Sequence, residues 1–522
     1  MKKVVIRLFK LVKDLKNIEW LLILSGFTLG IILIGISFWG VLNLIFEKKP
    51  AYGGVLKEGV YQKINTLNPF LAENQTEKAL VYLIYDSLVR PNGQGSYEYE
   101  LAKNIIEINK GLGYEVELKD AYWSNGTKIT ADDIITTFSI IKTYSSGELY
   151  EYFKDVKLEK IDNYKVRFIL PIKDNLFIQK LSFVKIIPSK EWLKYPPSQW
   201  QANEENLIKV SSGPFVFSQK YALKNGVNVY EFVRNNYYFK KPFLDKILIY
   251  EYPDLKAAYE ALKIKEINAI GGLSPSYLKS ISKRSFKIEE IILPRIIALF
   301  FNAKKVKKEV AKNLESVLNK EELIKEVFEN YAEPSDSIFS PSIKKIFGLG
   351  EIKKQYIADK NFDYSDITII VPDNFFLIKI ANYLQNKFNF KVKIESPFNI
   401  INQIIPEKNY EALLYGISYR LIPDIWPLFS PDSPLHLTNA DSKEIIKKIQ
   451  DLYTGDIKEF KNNLEEIDKL ISEIEPIVFI GNNFYLYVVP INLKGFDLKY
   501  LNEPYERFVK VENWYLSEKI SF

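Results

Sequence analysis

The sequence predicts an α/β protein held behind one N-terminal transmembrane helix. Three observations lead there. Residues 20–46, WLLILSGFTLGIILIGISFWGVLNLIF, carry no charged side chain. From Ile291 onward, short β-type runs alternate with stretches of helical apolar spacing, the βαβα rhythm of an α/β lobe. With 47% hydrophobic and 14% aromatic residues, the 522-residue chain can fill large cores. Its length suggests about three domains at roughly 150 residues each.

The apolar segment comes first. As a helix it is about 40 Å long at roughly 1.5 Å per residue, enough to cross a hydrocarbon layer of about 30 Å with some tilt. Trp20 and Trp39 fall toward its two interfaces. Lys2, Lys3, Arg7, Lys10, Lys13 and Lys16 precede it, against Asp14 and Glu19. That basic flank assigns residues 1–19 to the cytoplasm and the rest of the chain to the outside. The expected location is therefore the cell membrane, single-pass, with an extracellular or periplasmic C-terminal domain. The chain has no cysteine, so a lipid anchor on a thiol is excluded and the helix itself must hold the membrane.

Residues 47–52 read as a short charged linker containing Pro50. Gly53 to Gly59 opens a strand-like region that turns at Leu67-Asn-Pro69. Residues 77–89 have helical spacing, and strands follow around 104–108 and 113–119. Thr130-Ala-Asp-Asp133 is a capping box before the apolar face Ile134, Ile135, Phe138 and Ile141. Capping explains Asp132 and Asp133 better than a catalytic carboxylate pair does. Two strands flank Asp162-Asn-Tyr164, another runs over 215–219, and a helix covers 254–264. Past Ile291 the reading is strand 297–302, helix 307–330, Pro-rich turns at 334–341, strand 367–371, helix 375–387 and strand 390–395. Strand 411–415, helices 441–451 and 457–474 and strand 477–480 complete it.

Composition excludes several chemistries. One His and no Cys leave almost no ligand set for zinc or nickel. They also exclude Cys-His and Ser-His catalysis unless His436 is the base. Residues 1–52 hold eight Lys and Arg against three acids, so most of the net charge of +6 belongs to the anchor. The remainder is nearly neutral and carries no electrostatic footprint for nucleic acid. The chain has no G-x-x-x-x-G-K-S/T, H-E-x-x-H, G-x-S-x-G or Gly-rich dinucleotide turn. No cofactor is expected.

The order of weak motifs is more informative than any one of them. Gly53-Gly54 with Leu67-Asn-Pro69 is followed by Ile84-Tyr-Asp-Ser-Leu88, Tyr114 to Asp120, Trp123-Ser-Asn-Gly-Thr127 and Thr130 to Ile134. Asp162-x-Tyr-x-Val-x-Phe168, Ser212-Gly-Pro-Phe215, Arg234-Asn235 with Tyr237-Tyr238, and Leu244-Asp-Lys-Ile247 come next. Ala258 to Leu262 before Glu266-Ile267, then Phe301-Asn302 and Leu323 to Phe328, complete the series. Over nearly all of 53–522 this resembles the family 5 extracellular solute-binding proteins of ABC importers, the dipeptide and oligopeptide binders.

The resemblance implies a two-lobed periplasmic-binding-protein fold, type II and of the large cluster-C kind. The first lobe would comprise 53–290, the second 291–475, with 476–522 returning to the first. Tyr410 to Gly416 resembles the strand entering the ligand cleft, and Pro423-Asp424-x-Trp426 the acidic segment after it. Asp424 is then expected to meet a ligand amino group, with Tyr415, Tyr419 and Trp426 as cleft walls. A second register instead puts Arg420 at that position, facing an anionic ligand group. Ile417 stands where the family usually has Trp, and Lys265-Glu-Ile-Asn268 where Gly-Glu-Ile-Asp is frequent. The function implied is peptide capture outside the cell and delivery to a permease and its ATPase subunits, without catalysis, by a monomeric ectodomain. A sensory or scaffolding ectodomain on the same fold, and a surface glycosidase with paired carboxylates, are the alternatives.

Overall fold

The computed structural model describes residues 17–45, 47–352 and 356–521. Two large sheets organise it. The first has seven strands, in the order 286–291, 485–490, 269–271, 55–60, 246–251, 228–234, 215–222. The second has six, in the order 332–334, 477–483, 295–301, 412–418, 368–372, 391–395. Each is mixed: Val55–Val60 runs parallel to both Lys246–Glu251 and Ala269–Gly271, and Thr368–Pro372 parallel to both Lys391–Glu395 and Ala412–Ser418, while the other pairings are antiparallel.

Both sheets are covered on two faces, as alternation along their strands requires. Ile296, Ala298 and Phe300 pack into one apolar cluster, and Ile297, Leu299 and Phe301 into another. In the first sheet, Ile247 and Ile249 face one core while Val229, Ile270 and Val488 face a second. A separate four-stranded sheet, Ala102–Ile108, Gly113–Leu118, Lys165–Ile169 and Lys157–Asp162, carries the helix Ala131–Tyr144 and belongs to the first lobe's core.

The chain crosses between the two sheets twice, at residues 292–294 and at Phe484. The first crossing is held by main-chain bonds, Ile292 N to Lys499 O at 2.8 Å and Tyr419 N to Pro294 O at 2.9 Å. The Asn482 amide adds a bond to Leu293 O at 2.9 Å. The two-lobed periplasmic-binding architecture implied by the sequence is therefore present.

The apolar N-terminal segment forms the helix Asn17–Ile45. Its described side chains over 24–37 are nearly all exposed, and a Cβ on Gly26, Gly30 or Gly35 would touch nothing within 4 Å. Among the described residues no helix is long and apolar enough to cross a membrane. The spanning helix expected at 20–46 is thus not found among them. Most of the basic tail, residues 1–16, lies outside the described residues. Two readings differ from the structure in detail. The linker is a strand, Glu47–Pro50, paired antiparallel with Glu518–Ser521. The helix expected over 307–330 is two helices, Lys308–Val317 and Lys320–Phe328, because Asn319 caps the second by accepting from Glu322 N.

Candidate ligand cleft between the lobes

The strand Ala412–Ser418 lies inside the second sheet and ends at the lobe junction. Arg420 then takes a left-handed backbone, φ 75°, which a non-glycine residue adopts at a cost of about 1–3 kcal/mol. Its neighbours hold it there. Leu421 N donates to Asn502 Oδ1 at 2.8 Å. Gln179 grips Ile422 from both sides, accepting from its N–H at 3.2 Å and donating to its carbonyl at 2.8 Å. Asp424 N closes the turn onto Tyr419 O at 2.6 Å. The segment is therefore fixed largely by side chains from the other lobe.

Two carboxylates meet in this junction. Glu148 and Tyr152 stand one turn apart on the helix Gly147–Phe153. The Tyr152 hydroxyl lies 2.7 Å from Glu148 Oε1 and 3.0 Å from Asp424 Oδ2. Tyr453 donates its hydroxyl to Asp424 Oδ1 at 2.7 Å and accepts from the N–H groups of Ile425 and Trp426. Burial, then the nearby Asp424 carboxylate, pushes both phenols above their ordinary range. They stay neutral donors.

The two acids differ in their counter-ions. Arg420 bonds both oxygens of Glu148, at 2.8 and 2.6 Å, and stacks 4.4 Å over the Phe183 ring. Partial burial works to raise Glu148, but the Arg420 guanidinium outweighs it and holds the carboxyl below the usual range. Asp424 makes no ion pair among the described residues and is held by phenol hydroxyls alone.

The five sequence candidates separate here. Asp424 and Trp426 are brought together through Tyr453, and Arg420 sits beside them with its charge already matched. Tyr415 is half-buried against the second lobe's core. Tyr419 is 1% exposed and packs edge-on to Phe339 at 5.6 Å. It belongs to the core rather than to a cleft wall, because the turn after Ser418 directs it inward. Sequence reasoning missed Glu148, Tyr152, Gln179 and Tyr453. The only signal for the first two was their i, i+4 spacing; their partners lie 272 residues away.

The other candidates are structural. Asp133 is buried and accepts from Thr130 N at 2.8 Å, Ser189 N at 2.9 Å and Ser189 Oγ at 2.8 Å. Asp132 pairs with Lys160 at 2.8 Å. His436 is buried beside Ser442, and desolvation, then Lys408, lowers its pKa to about 4. Among the described residues no group of three or more His, Cys, Asp or Glu is placed to hold a metal ion.

Comparison with known proteins agrees with this architecture. The chain is 24% identical to the oligopeptide-binding protein AppA of Bacillus subtilis, over 90% of this chain and 93% of that protein. It is 22% identical to the nickel-binding protein NikA of Staphylococcus aureus, over 79% and 86%. The crystal structure of the ABC transporter substrate-binding protein CtaP from Listeria monocytogenes superposes with a TM-score of 0.77 at 24% identity, covering 89% of this chain and 99% of that one. The family described as bacterial extracellular solute-binding proteins, family 5 Middle, matches residues 96–433. With two lobes joined by two crossings and a match over most of its length, the chain belongs to the family 5 bacterial extracellular solute-binding proteins.

Proposed function

We propose that this protein is the membrane-anchored solute-binding subunit of an ABC importer. It captures di- or oligopeptides between its lobes outside the cell and delivers them to a permease driven by separate ATPase subunits. It works by closure around the ligand and not by catalysis, as a monomeric ectodomain on its N-terminal helix. The observation that carries this reading is the uncompensated charge of Asp424 at the lobe junction. A carboxylate there, with the Tyr453 phenol as donor, the Tyr152 hydroxyl shared with Glu148 and no cation paired among the described residues, suits a peptide ammonium, whose own burial demands an anionic partner. The printed name of the Bacillus subtilis relative, an oligopeptide-binding protein, supports the same ligand class. Arg420 is already neutralised by Glu148, which favours Asp424 as the ligand-facing group over the alternative register. A glycosidase needs one carboxyl held protonated; Glu148, pulled below its usual range, is poorly suited to that role.

The test is peptide affinity of the full-length protein in lipid nanodiscs. Truncating one partner of a buried charge pair typically costs about 2–5 kcal/mol. Asp424→Ala should therefore weaken binding by at least about thirtyfold, since roughly 1.4 kcal/mol is a factor of ten. N-acetylated peptides should bind the wild type poorly and lose little more on mutation. Arg420→Ala with intact Asp424→Ala binding would reverse the assignment of the ligand-facing residue. Indifference to both substitutions removes the residue-level basis for peptide capture.

A further inference from the structure

The N-terminal helix ends at Ile45 and the strand Glu47–Pro50 follows. Tyr52 therefore stands at most about 25 Å of chain beyond the helix, at roughly 3.3–3.6 Å per residue. Its position is fixed. Ala51 N donates to Ser517 O at 3.0 Å, and Gly53 N to Phe243 O at 2.8 Å. The Tyr52 ring stacks on Phe243 with centroids 5.0 Å apart. That contact ties the helix exit to the loop 235–245, which joins the first-lobe strands Asn228–Arg234 and Lys246–Glu251. The loop is held from within. The buried Asn235 donates to Gly213 O at 2.8 Å and accepts from Tyr237 N at 2.9 Å, and Tyr238, Pro242 and Leu244 are buried as well.

What the loop turns outward is aromatic and basic. Tyr237 is 52% exposed and Phe239 44%, with Tyr52 at 53%. Lys240 and Lys241 follow, both exposed. Lys241 and Arg234 lie 5.0 and 5.2 Å from the Tyr52 ring centre, and Lys119 lies 5.2 Å from that of Phe239. The strand pair adds exposed Lys48, Lys49 and Lys519. Over 47–52, 236–245 and 517–521 the sequence sets five lysines against Glu47, Asp245 and Glu518. Two of those acids are matched by cations outside the five, Asp245 by Arg234 at 2.6 Å and Glu518 by Lys494 at 2.7 Å. The face is therefore positive. Exposed rings among lysines suit the boundary between bilayer and water, where aromatic rings sit at headgroup level and lysine stems carry the charge to the polar layer.

We propose that this face of the first lobe lies against the membrane surface, with Tyr52, Tyr237 and Phe239 in the headgroup layer and the lysines on anionic phospholipid. The inference rests on the membrane-anchored reading and goes beyond it. The helix would hold the chain in the bilayer; this face sets which side of the binding domain meets it. Two observations select lipid as the occupant. The positive charge complements an anionic surface, whose potential falls off within a Debye length of about 10 Å. The face also adjoins the point where the chain leaves the helix, so a bilayer around the helix lies within reach of a short tether. Tyr52 and the loop both belong to the first lobe. That lobe is then held at the membrane, and the second, joined to it by the two crossings, is the one that moves.

The experiment uses the full-length chain in nanodiscs. The chain has no cysteine, so a single introduced thiol takes a fluorophore alone. Asn236→Cys places it on the loop, and Asn386→Cys, exposed on the second-lobe helix Phe375–Phe388, is the control. A quencher carried on lipid headgroups reads proximity to the membrane. In discs of phosphatidylcholine with about 30% phosphatidylglycerol, position 236 should be quenched at least about threefold more than position 386. Salt at about 1 M, where the Debye length is roughly 3 Å, should reduce that difference at least about twofold, as should discs of phosphatidylcholine alone. Adding Phe239→Ser, Lys240→Gln and Lys241→Gln to the Asn236→Cys chain should abolish it, with a melting temperature close to that of the parent because all three side chains are exposed. The salt and lipid arms use the unmutated face and decide the matter without that variant. Equal quenching at 236 and 386 overturns this inference alone and leaves the face to a protein partner. Quenching indifferent to salt and to lipid charge overturns it as well. If the protein does not stay with the discs on size-exclusion chromatography, the membrane-anchored reading and this inference both fall.

Discussion

His436 illustrates how one buried side chain sets a pH dependence without taking part in function. Ser442 commits its hydroxyl proton to Glu475, so the neutral imidazole is the donor in the 3.2 Å contact between its Nε2 and Ser442 Oγ. Lys408, which bonds the His436 carbonyl at 2.7 Å, adds a nearby positive charge. Its folded pKa of about 4 lies below the unfolded value of about 6.5. The unfolded chain therefore binds the proton first. The stabilisation is complete above pH 6.5 and is lost as pH falls toward 4. At about 1.36 kcal/mol per unit of difference, the loss reaches up to about 3 kcal/mol. Urea unfolding of wild type and His436→Gln at pH 7 and pH 4.5 should show their free-energy difference shrinking on acidification. Parallel pH profiles would show that His436 titrates alike in both states. Glu506 and Asp86, which burial pushes upward, lie outside the Ser442 network and cancel from that difference.

At the scale of elements, most of what the sequence implied is local. The Thr130 box is one case: Thr130 N and Oγ1 both bond the Asp133 carboxylate at the start of the helix Ala131–Tyr144. Thr130→Ala should lower unfolding stability by roughly 1 kcal/mol, as loss of a cap does. Asp133→Ala should cost at least about 2 kcal/mol, because it strands the buried Ser189 donors. Neither should change peptide affinity, and a large binding loss at unchanged stability would contradict the structural assignment. Strands were legible because their pattern is written in consecutive residues; Arg295–Phe301 is an unbroken apolar run after Arg295 because odd and even side chains fill different cores. The break at Asn319 was missed because a cap inside an unbroken amphipathic pattern looks like one more polar position. The candidate site was legible only in part. Its acidic turn is local in sequence, whereas Glu148, Tyr152 and Tyr453 reach it through tertiary packing that no spacing rule encodes. Tyr419 packs into the core for the same reason, since it stands just before the left-handed Arg420 and its direction is set by that turn.

At the scale of the molecule, the position of the N-terminal helix relative to the binding domain gives the last prediction. The first strand after that helix, Glu47–Pro50, pairs with the last one, Glu518–Ser521, through the register Glu47 to Ser521 and Pro50 to Glu518. Both ends of the binding domain therefore meet where the helix leaves it. Along residues 24–37 the helix presents exposed Leu24, Phe27, Leu29, Ile31, Ile34 and Ile36. Apolar side chains in that number are costly to leave in water, at about 25 cal/mol per Å², and among the described residues they stay exposed. The proposed anchoring would place them in a bilayer, and its basis is the charge-free sequence from 20 to 46. On that proposal the six basic residues before it would hold the N-terminus inside. On this view the family 5 binding domain stays beside its permease on a short strand tether and does not diffuse away. Protease added to cells stripped of their wall should digest the region 53–522 and leave an N-terminal fragment in the membrane fraction. Mass spectrometry of the intact protein should find its original N-terminus. A mature chain beginning near residues 40–50 would show that the segment is a cleaved export signal. A protected binding domain would place it on the cytoplasmic side, reversing the orientation that the basic flank sets.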